Sequence, residues 1–271
     1  MPLTTLAIAG WRVRLDCSLP AVDEAVAAHF RAFVVPDSAV NDAQVTVSLG
    51  PDVPAGEWPA RPVTRRENIC LLDLPGTGGI ISLDSWAGRI RLALESLRPN
   101  LEYFLKALFA YLAFSRGGLL FHCAGVLDGR AAYLFTGSSG SGKSTVVSLL
   151  PDRPALNDDL VILRPEGRSW RAYGTPFWNA EATRRNGQTA DGIVAGIYRL
   201  AQDQQVYFES ISNAIAVSEL TANCPIVNAD PVELPSLMNR CRELAEAVEV
   251  RRLHFRKNAD FWPLLHTRNI E

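Results

Sequence analysis

Lysine is scarce in this chain, whose 271 residues contain only Lys106, Lys143 and Lys257. Arginine supplies most of the positive charge, and the formal net charge is −2 at pH 7 with a sequence pI near 6.1. A domain that grips nucleic acid through its phosphates usually carries a clear basic excess. The charge balance therefore does not indicate a basic nucleic-acid-binding surface, and we expect no nucleic-acid partner.

Paired cysteines and long apolar runs are also missing. The five cysteines, which are Cys17, Cys70, Cys123, Cys224 and Cys241, form no C-x-x-C pair, so their spacing predicts neither a zinc site nor a dithiol redox motif. An odd, scattered set of thiols is typical of a reducing cytosol. No apolar run reaches the roughly 18 residues of a membrane span, and the first residues lack the basic-then-apolar layout of a signal peptide. We therefore expect a cytoplasmic protein without a membrane partner.

One short segment rich in glycine and serine, residues 137–145, contains Lys143. It fits the Walker A pattern G-x-x-x-x-G-K-S/T, in which glycines allow backbone N–H groups to converge on phosphate. An apolar strand over 132–135 enters the segment and a helix leaves it, which is the context that the motif needs. The predicted nucleotide-binding residues are Gly137, Ser138, Ser139, Gly140, Ser141, Gly142, Lys143, Ser144 and Thr145.

The motif assigns a role to two of these side chains. Lys143 is expected to reach the β- and γ-phosphates, and the Ser144 hydroxyl is expected to ligate Mg²⁺. The alternative is a Gly/Ser-rich linker that happens to include a lysine, and the flanking strand and helix argue against it.

The apolar pattern predicts an α/β chain with two domains. Residues 1–98 combine a helix over 22–35 with several short alternating strands between residues 11 and 94, which indicates a small α+β domain built on an antiparallel meander. A helix over 99–114, with Asn100 as its N-cap, opens the second domain, which spans residues 99–271.

A hairpin is predicted directly before the Gly-rich segment. Asp128-Gly129 separates two apolar runs, and Asp-Gly between strands is a strong turn signal. The strand that enters the segment is therefore expected to pair antiparallel with its predecessor in a mixed sheet, whereas most Walker A folds build a parallel sheet. The hairpin also places His122 beside that strand, where a satisfied core histidine is as good a reading as a catalytic one.

Two adjacent carboxylates, Asp158 and Asp159, follow the segment closely and precede an apolar strand. Such a pair can serve one catalytic centre, with one acid binding Mg²⁺ and the other accepting a proton from an attacking hydroxyl. The alternative is an ordinary turn or capping pair. Further along, Arg184 and Arg185 lie in a polar stretch that is expected to be either a loop closing on a phosphoryl group or a solvated surface loop.

The run of His122, the Walker A segment, Asn157-Asp158-Asp159 and Gly174-Thr175-Pro176-Phe177 resembles HPr kinase/phosphorylase and its relatives over roughly residues 115–265. The resemblance implies a nucleotide core similar to PEP carboxykinase and phosphoryl transfer from ATP to a serine hydroxyl. Carried over residue by residue, it makes Asp158 the general base and Asp159 the Mg²⁺ ligand, with His122 beside the transferred phosphate. The chain departs from the family where His122-Cys123 replaces a His-Gly pair.

The function expected from these patterns is an ATP- and Mg²⁺-dependent serine kinase that acts on a peptide or small protein. The catalytic residues would be Asp158, His122 and Lys143, and the metal ligands Ser144 and Asp159. Two other functions stay open: a kinase of small metabolites, and a nucleotide-sensing module that transfers nothing. Because HPr kinases form oligomers, a homo-oligomer is also considered.

Overall fold

The computed structural model of this chain describes residues 2–50, 57–179 and 188–266. The chain divides into two compact units, residues 1–115 and 116–271. Each unit has its own sheet and its own buried side chains.

The first unit contains eight strands and two helices within the described residues. They are β1 (Leu3–Ile8), β2 (Trp11–Cys17), α1 (Pro20–His29), β3 (Val34–Val35), β4 (Ala43–Leu49), β5 (Val63–Arg66), β6 (Ile69–Leu74), β7 (Thr77–Ser82), β8 (Ala87–Leu92) and α2 (Leu97–Ser115).

The sheet of the first unit is mixed, in the order β3-β1-β2-β4-β8-β7-β6-β5. The predicted antiparallel meander is present over β5–β8, but β4 lies parallel to both β2 and β8. Strands β2 and β4 are parallel because α1 lies in the connection between them, and a crossover connection of this kind joins parallel strands. Val22 and Val26 of α1 are fully buried.

The helix α2 packs against β7 and β8 of the first unit. Two glycines make room for it, since a Cβ atom at Gly79 or at Gly88 would lie 2.9 Å from the ring of Phe104. This packing places the division between the units after Ser115 rather than after residue 98. Asn100 does not cap α2, because the helix begins three residues earlier, at Leu97. The buried amide of Asn100 instead donates to the carbonyl of Pro75 and the hydroxyl of Thr77.

The second unit contains nine strands and four helices within the described residues. They are β9 (Leu119–His122), β10 (Ala124–Asp128), β11 (Ala131–Thr136), α3 (Lys143–Leu149), β12 (Ala155–Asn157), β13 (Leu160–Glu166), β14 (Ser169–Tyr173), β15 (Asp191–Gln202), β16 (Tyr207–Ser210), α4 (Asn213–Ala222), α5 (Leu234–Ala247), β17 (Val250–Phe255) and α6 (Phe261–His266).

The hairpin predicted at Asp128-Gly129 is confirmed, since β10 and β11 pair antiparallel from Ala124↔Phe135 to Asp128↔Ala131. On its other side β11 runs parallel to β15, and β15 runs parallel to β17. The sheet is therefore mixed, and the chain has an α/β fold. The carboxyl ends of β11, β15 and β17 share one edge, where ligands usually bind in sheets of this kind.

Aromatic and aliphatic side chains of α3 and α6 pack with those of the central strands in one cluster, which includes Phe135, Val146, Phe255 and Phe261. This cluster supports the carboxyl edge from one side of the sheet. In the described ranges, no helix combines the length and the apolar character that a membrane crossing needs.

Candidate functional site

The Gly-rich loop, residues 137–142, joins the end of β11 to the start of α3. Two of its glycines are required by conformation and by space. Gly137 (φ 148°) and Gly142 (φ 111°) adopt left-handed backbone, which side chains with a Cβ disfavour. A Cβ at Gly142 would also lie 2.8 Å from Phe255 Cζ, and one at Gly137 would lie 2.5 Å from Ser141 Oγ. The loop is therefore closely packed against β17 and against itself.

Two side chains hold the loop in shape. Gln202 Nε2, at the end of β15, donates to the Gly140 carbonyl at 2.9 Å. Lys143 Nζ donates to the Gly137 carbonyl at 2.8 Å. Partial burial lowers the pKa of Lys143, and the nearby charge of Asp159 acts in the opposite direction. The ammonium group of Lys143 thus lies on the loop and also lines the cleft beside it.

Asp158 lies against the start of α3 and is almost fully buried, with 1% of its surface exposed. Its Oδ2 accepts from Ser144 Oγ at 3.2 Å, and its Oδ1 accepts from the backbone N–H of Asn179 at 3.0 Å. A buried carboxylate needs such partners, because an uncompensated charge in the interior is costly. Asp158 is thereby fixed beside the hydroxyl that the sequence motif assigns to a metal.

Asp159 has a different environment, although it is the next residue. Its Oδ1 lies 3.1 Å from His122 Nε2, and the two side chains are 23% and 37% exposed. The backbone joins the same two segments, since the N–H of Cys123 donates to the Asp159 carbonyl at 2.9 Å. With this exposure, His122 is not a buried core histidine.

A buried asparagine builds the turn that presents both carboxylates. Asn157 Oδ1 accepts from the backbone N–H groups of Asp159 (2.7 Å) and Leu160 (2.9 Å), and its amide donates to the Thr175 carbonyl at 2.9 Å. Thr175 Oγ1 in turn donates to the Leu160 carbonyl at 2.6 Å. Local side-chain-to-backbone bonds of this kind fix a turn. Asn157 and Thr175 belong to the run that carries the family resemblance, but the sequence assigned neither of them a role.

The Gly-rich loop, the start of α3, the two carboxylates and His122 line a cleft of about 300 Å³. Its walls are formed by His122, Ser139, Gly140, Gly142, Lys143, Ser144, Thr145, Asp158, Asp159 and Asn179. The structure thus brings together most of the residues that the sequence predicted. Gly137, Ser138 and Ser141 belong to the loop, while Arg184 and Arg185 lie outside the described residues.

The cleft is lined by the hydroxyl of Ser144 and the carboxylates of Asp158 and Asp159, and Ser144 Oγ lies 3.2 Å from Asp158 Oδ2. Mg²⁺ prefers oxygen ligands and often takes one or two carboxylates from the protein, with the remainder from water and phosphate. In the described ranges no group of three or more His, Cys, Asp or Glu side chains gathers as a metal site. The donor set fits a hard cation held jointly with phosphate, and it does not resemble a zinc site.

Asn179 and Gln202 are two residues of the site that sequence reasoning missed. Each acts through one hydrogen bond, from the Asn179 backbone to Asp158 and from the Gln202 side chain to Gly140. No sequence pattern would have identified them, because both bonds join segments that are distant along the chain.

Comparison with known proteins identifies no family. No family model matches the chain, and no curated protein matches it. Among solved structures, the chain is similar to one described as the Hpr(Ser) kinase/phosphatase from Coxiella burnetii, with 11% identity over 54% of this chain and 91% of that chain. The TM-score of that superposition is 0.29, so the similarity carries no argument about fold or activity, and the interpretation of the site rests on its own geometry.

Proposed function

We propose that this chain is an ATP- and Mg²⁺-dependent phosphotransferase that transfers the γ-phosphoryl group to a serine hydroxyl of a peptide or small protein. One observation carries the proposal: the Gly-rich loop, Lys143, the Ser144–Asp158 contact and the His122–Asp159 pair line a single cleft. Phosphoryl transfer depends mainly on positioning and on charge stabilisation, and these are the groups it requires.

The phosphate end of the nucleotide would bind at the loop. The glycine conformations at 137, 140 and 142 turn the backbone sharply, and successive N–H groups in such a turn form an anion-binding concavity. The ammonium group of Lys143 adds positive charge at the same place. When bound, Mg²⁺ would neutralise charge on the phosphate oxygens, and Ser144 Oγ and Asp158 Oδ2, which are 3.2 Å apart, are the protein atoms that would hold it.

The proton of the attacking hydroxyl would pass to Asp159. Its carboxylate is more exposed than that of Asp158 and faces His122 Nε2 at 3.1 Å. In the reaction the serine oxygen forms a bond to the γ-phosphorus, the bond between that phosphorus and the bridging oxygen breaks, ADP leaves, and Asp159 takes the hydroxyl proton. The contacts thus support Asp158 as a metal ligand and Asp159 as the general base. The sequence resemblance implies the reverse assignment.

The test of nucleotide binding is calorimetric titration with ATP and Mg²⁺. We expect the wild type to bind, and Lys143→Ala to bind at least about tenfold more weakly, because a charged hydrogen bond to phosphate is lost. The matched control is Lys257→Ala, which removes an exposed lysine and should bind ATP as the wild type does. Absence of binding by the wild type would contradict the proposal.

The acceptor is tested separately with ATP labelled on the γ-phosphate. Serine-containing peptides and small hydroxyl metabolites are offered side by side, and label is followed into each. Label on peptides supports the proposal as stated, whereas label on metabolites alone would make the chain a metabolite kinase. Binding of ATP with no transfer to any hydroxyl would instead indicate a nucleotide-sensing module.

A further inference from the structure

Strand pairing fixes which side chains lie on each side of the Gly-rich loop, at the edge of the sheet that the carboxyl ends of β11, β15 and β17 share. The pairing Ala124↔Phe135 places the start of β10, and therefore His122, on one side of the end of β11. The pairing Thr136↔Arg199 places β15 on the other side, and β17 and then β16 follow outward. The loop thus lies between the adjacent carboxylates Asp158 and Asp159, here called the acid pair, and the start of β16.

Tyr207 begins β16 and presents an aromatic ring at this edge. Its ring stacks on that of His254 with 4.2 Å between centroids and 9° between planes, while 42% of its surface remains exposed. Its neighbours Val206 and Phe208 pack against the apolar cluster on the other side of the sheet, as alternation along a strand requires. One face of Tyr207 is therefore covered by His254.

The stacked pair is held in place by charged groups. His254 Nδ1 lies 3.1 Å from Asp203 Oδ2, and His254 Nε2 lies 3.0 Å from Glu209 Oε2. Arg252 Nη1 also binds Glu209, at 2.8 Å, and these hydrogen bonds lower the pKa of Glu209. The Tyr207 hydroxyl lies 3.4 Å from Asp203 Oδ2. The ring is thus oriented before any ligand arrives, which reduces the entropy lost on binding.

The loop and the stacked pair are connected through two adjacent strand ends. Gln202 binds Gly140, and Asp203, the next residue, contacts both His254 and Tyr207. On β17, Phe255 packs beneath Gly142 while its neighbour His254 supports Tyr207. The strand that leads into the loop, β11, is separated from β16 by β15 and β17. With strands about 4.8 Å apart the distance is about 14 Å, a span that an extended nucleoside triphosphate can bridge.

We infer that Tyr207 is the stacking platform for the base of the nucleotide. The inference rests on the proposed function, because it takes the phosphates to lie in the Gly-rich loop with the γ-phosphate toward His122 and the acid pair. A nucleotide placed in this way extends its base to the opposite side of the loop, along the edge on which Tyr207 lies. An aromatic ring offers every base a π face, so the platform recognises the purine or pyrimidine ring as a class.

The experiment compares ATP with inorganic tripolyphosphate, which has the phosphates but no base. Affinities of both ligands, each with Mg²⁺, are measured by calorimetry for the full chain. In Tyr207→Ala we expect ATP affinity to fall about tenfold, which lies within the range for loss of one stacked base, and tripolyphosphate affinity to stay unchanged. Tyr207→Phe keeps the ring and should keep both affinities. Trp58→Ala, which removes another exposed aromatic ring from the first unit, serves as the control.

Three outcomes would overturn the inference, and they differ from one another. If Tyr207→Ala binds ATP as the wild type does while Lys143→Ala does not, the base lies elsewhere and the proposed function stands. If Tyr207→Ala loses both ligands, the ring only supports the fold. If the wild type binds neither ligand, the proposed function fails and the platform fails with it.

Discussion

Asp158 and Asp159 are neighbours in the chain, yet their surroundings separate their chemistry. Asp158 is buried between Ser144 Oγ and the backbone N–H of Asn179, whereas Asp159 is partly exposed beside His122. We expect Asp159→Asn to bind ATP with Mg²⁺ normally and to lose transfer by about 10²–10⁴-fold, because a general base contributes that much. Asp158→Asn should weaken the Mg²⁺ dependence of ATP binding. Titrations with and without Mg²⁺, together with turnover, measure both effects.

The control for these variants is Asp152→Asn, which changes an exposed carboxylate and should alter neither quantity. If Asp158→Asn keeps its Mg²⁺-dependent affinity and loses only turnover, the roles are those that the sequence resemblance implies. Loss of ATP binding by both variants would mean that the two carboxylates act together on the metal.

The sequence predicts the members of this site better than their contacts. The Gly-rich loop, Lys143, Ser144 and the acid pair can be found because short motifs carry them. The environment of each carboxylate cannot be found in the same way, since it depends on Asn157 binding Thr175 and on Asn179 reaching Asp158. Those bonds depend on the tertiary fold, which a local pattern does not encode.

At the scale of elements, one polar contact joins the two helices of the first unit. Glu102 on α2 lies 3.4 Å from His29 Nε2 on α1 and 3.1 Å from Lys106 Nζ on its own helix. Burial acts to raise the pKa of Glu102, but the hydrogen bond from His29 and the charge of Lys106 outweigh it, so the pKa is lowered. A lowered carboxyl pKa means that the folded state favours the ionised form.

Glu102 should therefore stabilise the fold in a pH-dependent way. Its contribution is present above the unfolded carboxyl pKa of about 4.3, and it is lost as the pH falls through the lower folded pKa. We expect Glu102→Gln to reduce the free energy of unfolding by about 1–2 kcal/mol at pH 7 and by much less near pH 3. Urea unfolding at both pH values measures the difference.

Glu95→Gln is the matched control, because Glu95 is an exposed glutamate in the same region. Its effect should stay within about 0.5 kcal/mol at either pH. An equal loss for Glu102→Gln at pH 7 and pH 3 would mean that the ionised carboxylate is not what stabilises the helix pair.

Element prediction succeeds here where a local signal and the tertiary fold agree. Asp128-Gly129 predicts the hairpin because the turn itself selects those residues. The apolar run before that turn, residues 119–127, is continuous in the sequence. In the structure it divides into β9 and β10 at Cys123, since β9 pairs with β13 while β10 pairs with β11. The parallel placement of β4 is also a tertiary outcome, for which alternation along a single strand gives no signal.

At the scale of the whole molecule, the chain has two units with separate sheets, and the candidate site lies within the second. A ligand that binds only the folded state stabilises the part whose unfolding destroys its site, by about 2.7 kcal/mol at a hundredfold excess over Kd. Because the cleft is built from β9–β11, α3 and the turn after β12, nucleotide should stabilise the second unit selectively.

Hydrogen exchange read by mass spectrometry tests this directly. With ATP and Mg²⁺ in excess, we expect slower exchange in peptides that cover 119–166 and 193–202, most of all at the loop and at residues 157–160. Peptides from residues 2–50 and 57–115 should exchange at the same rate with and without nucleotide, and Lys143→Ala should reduce the protection of the second unit at the same nucleotide concentration. Equal protection of both units would mean that they unfold as one, and the nucleotide site would then be coupled to the first sheet as well.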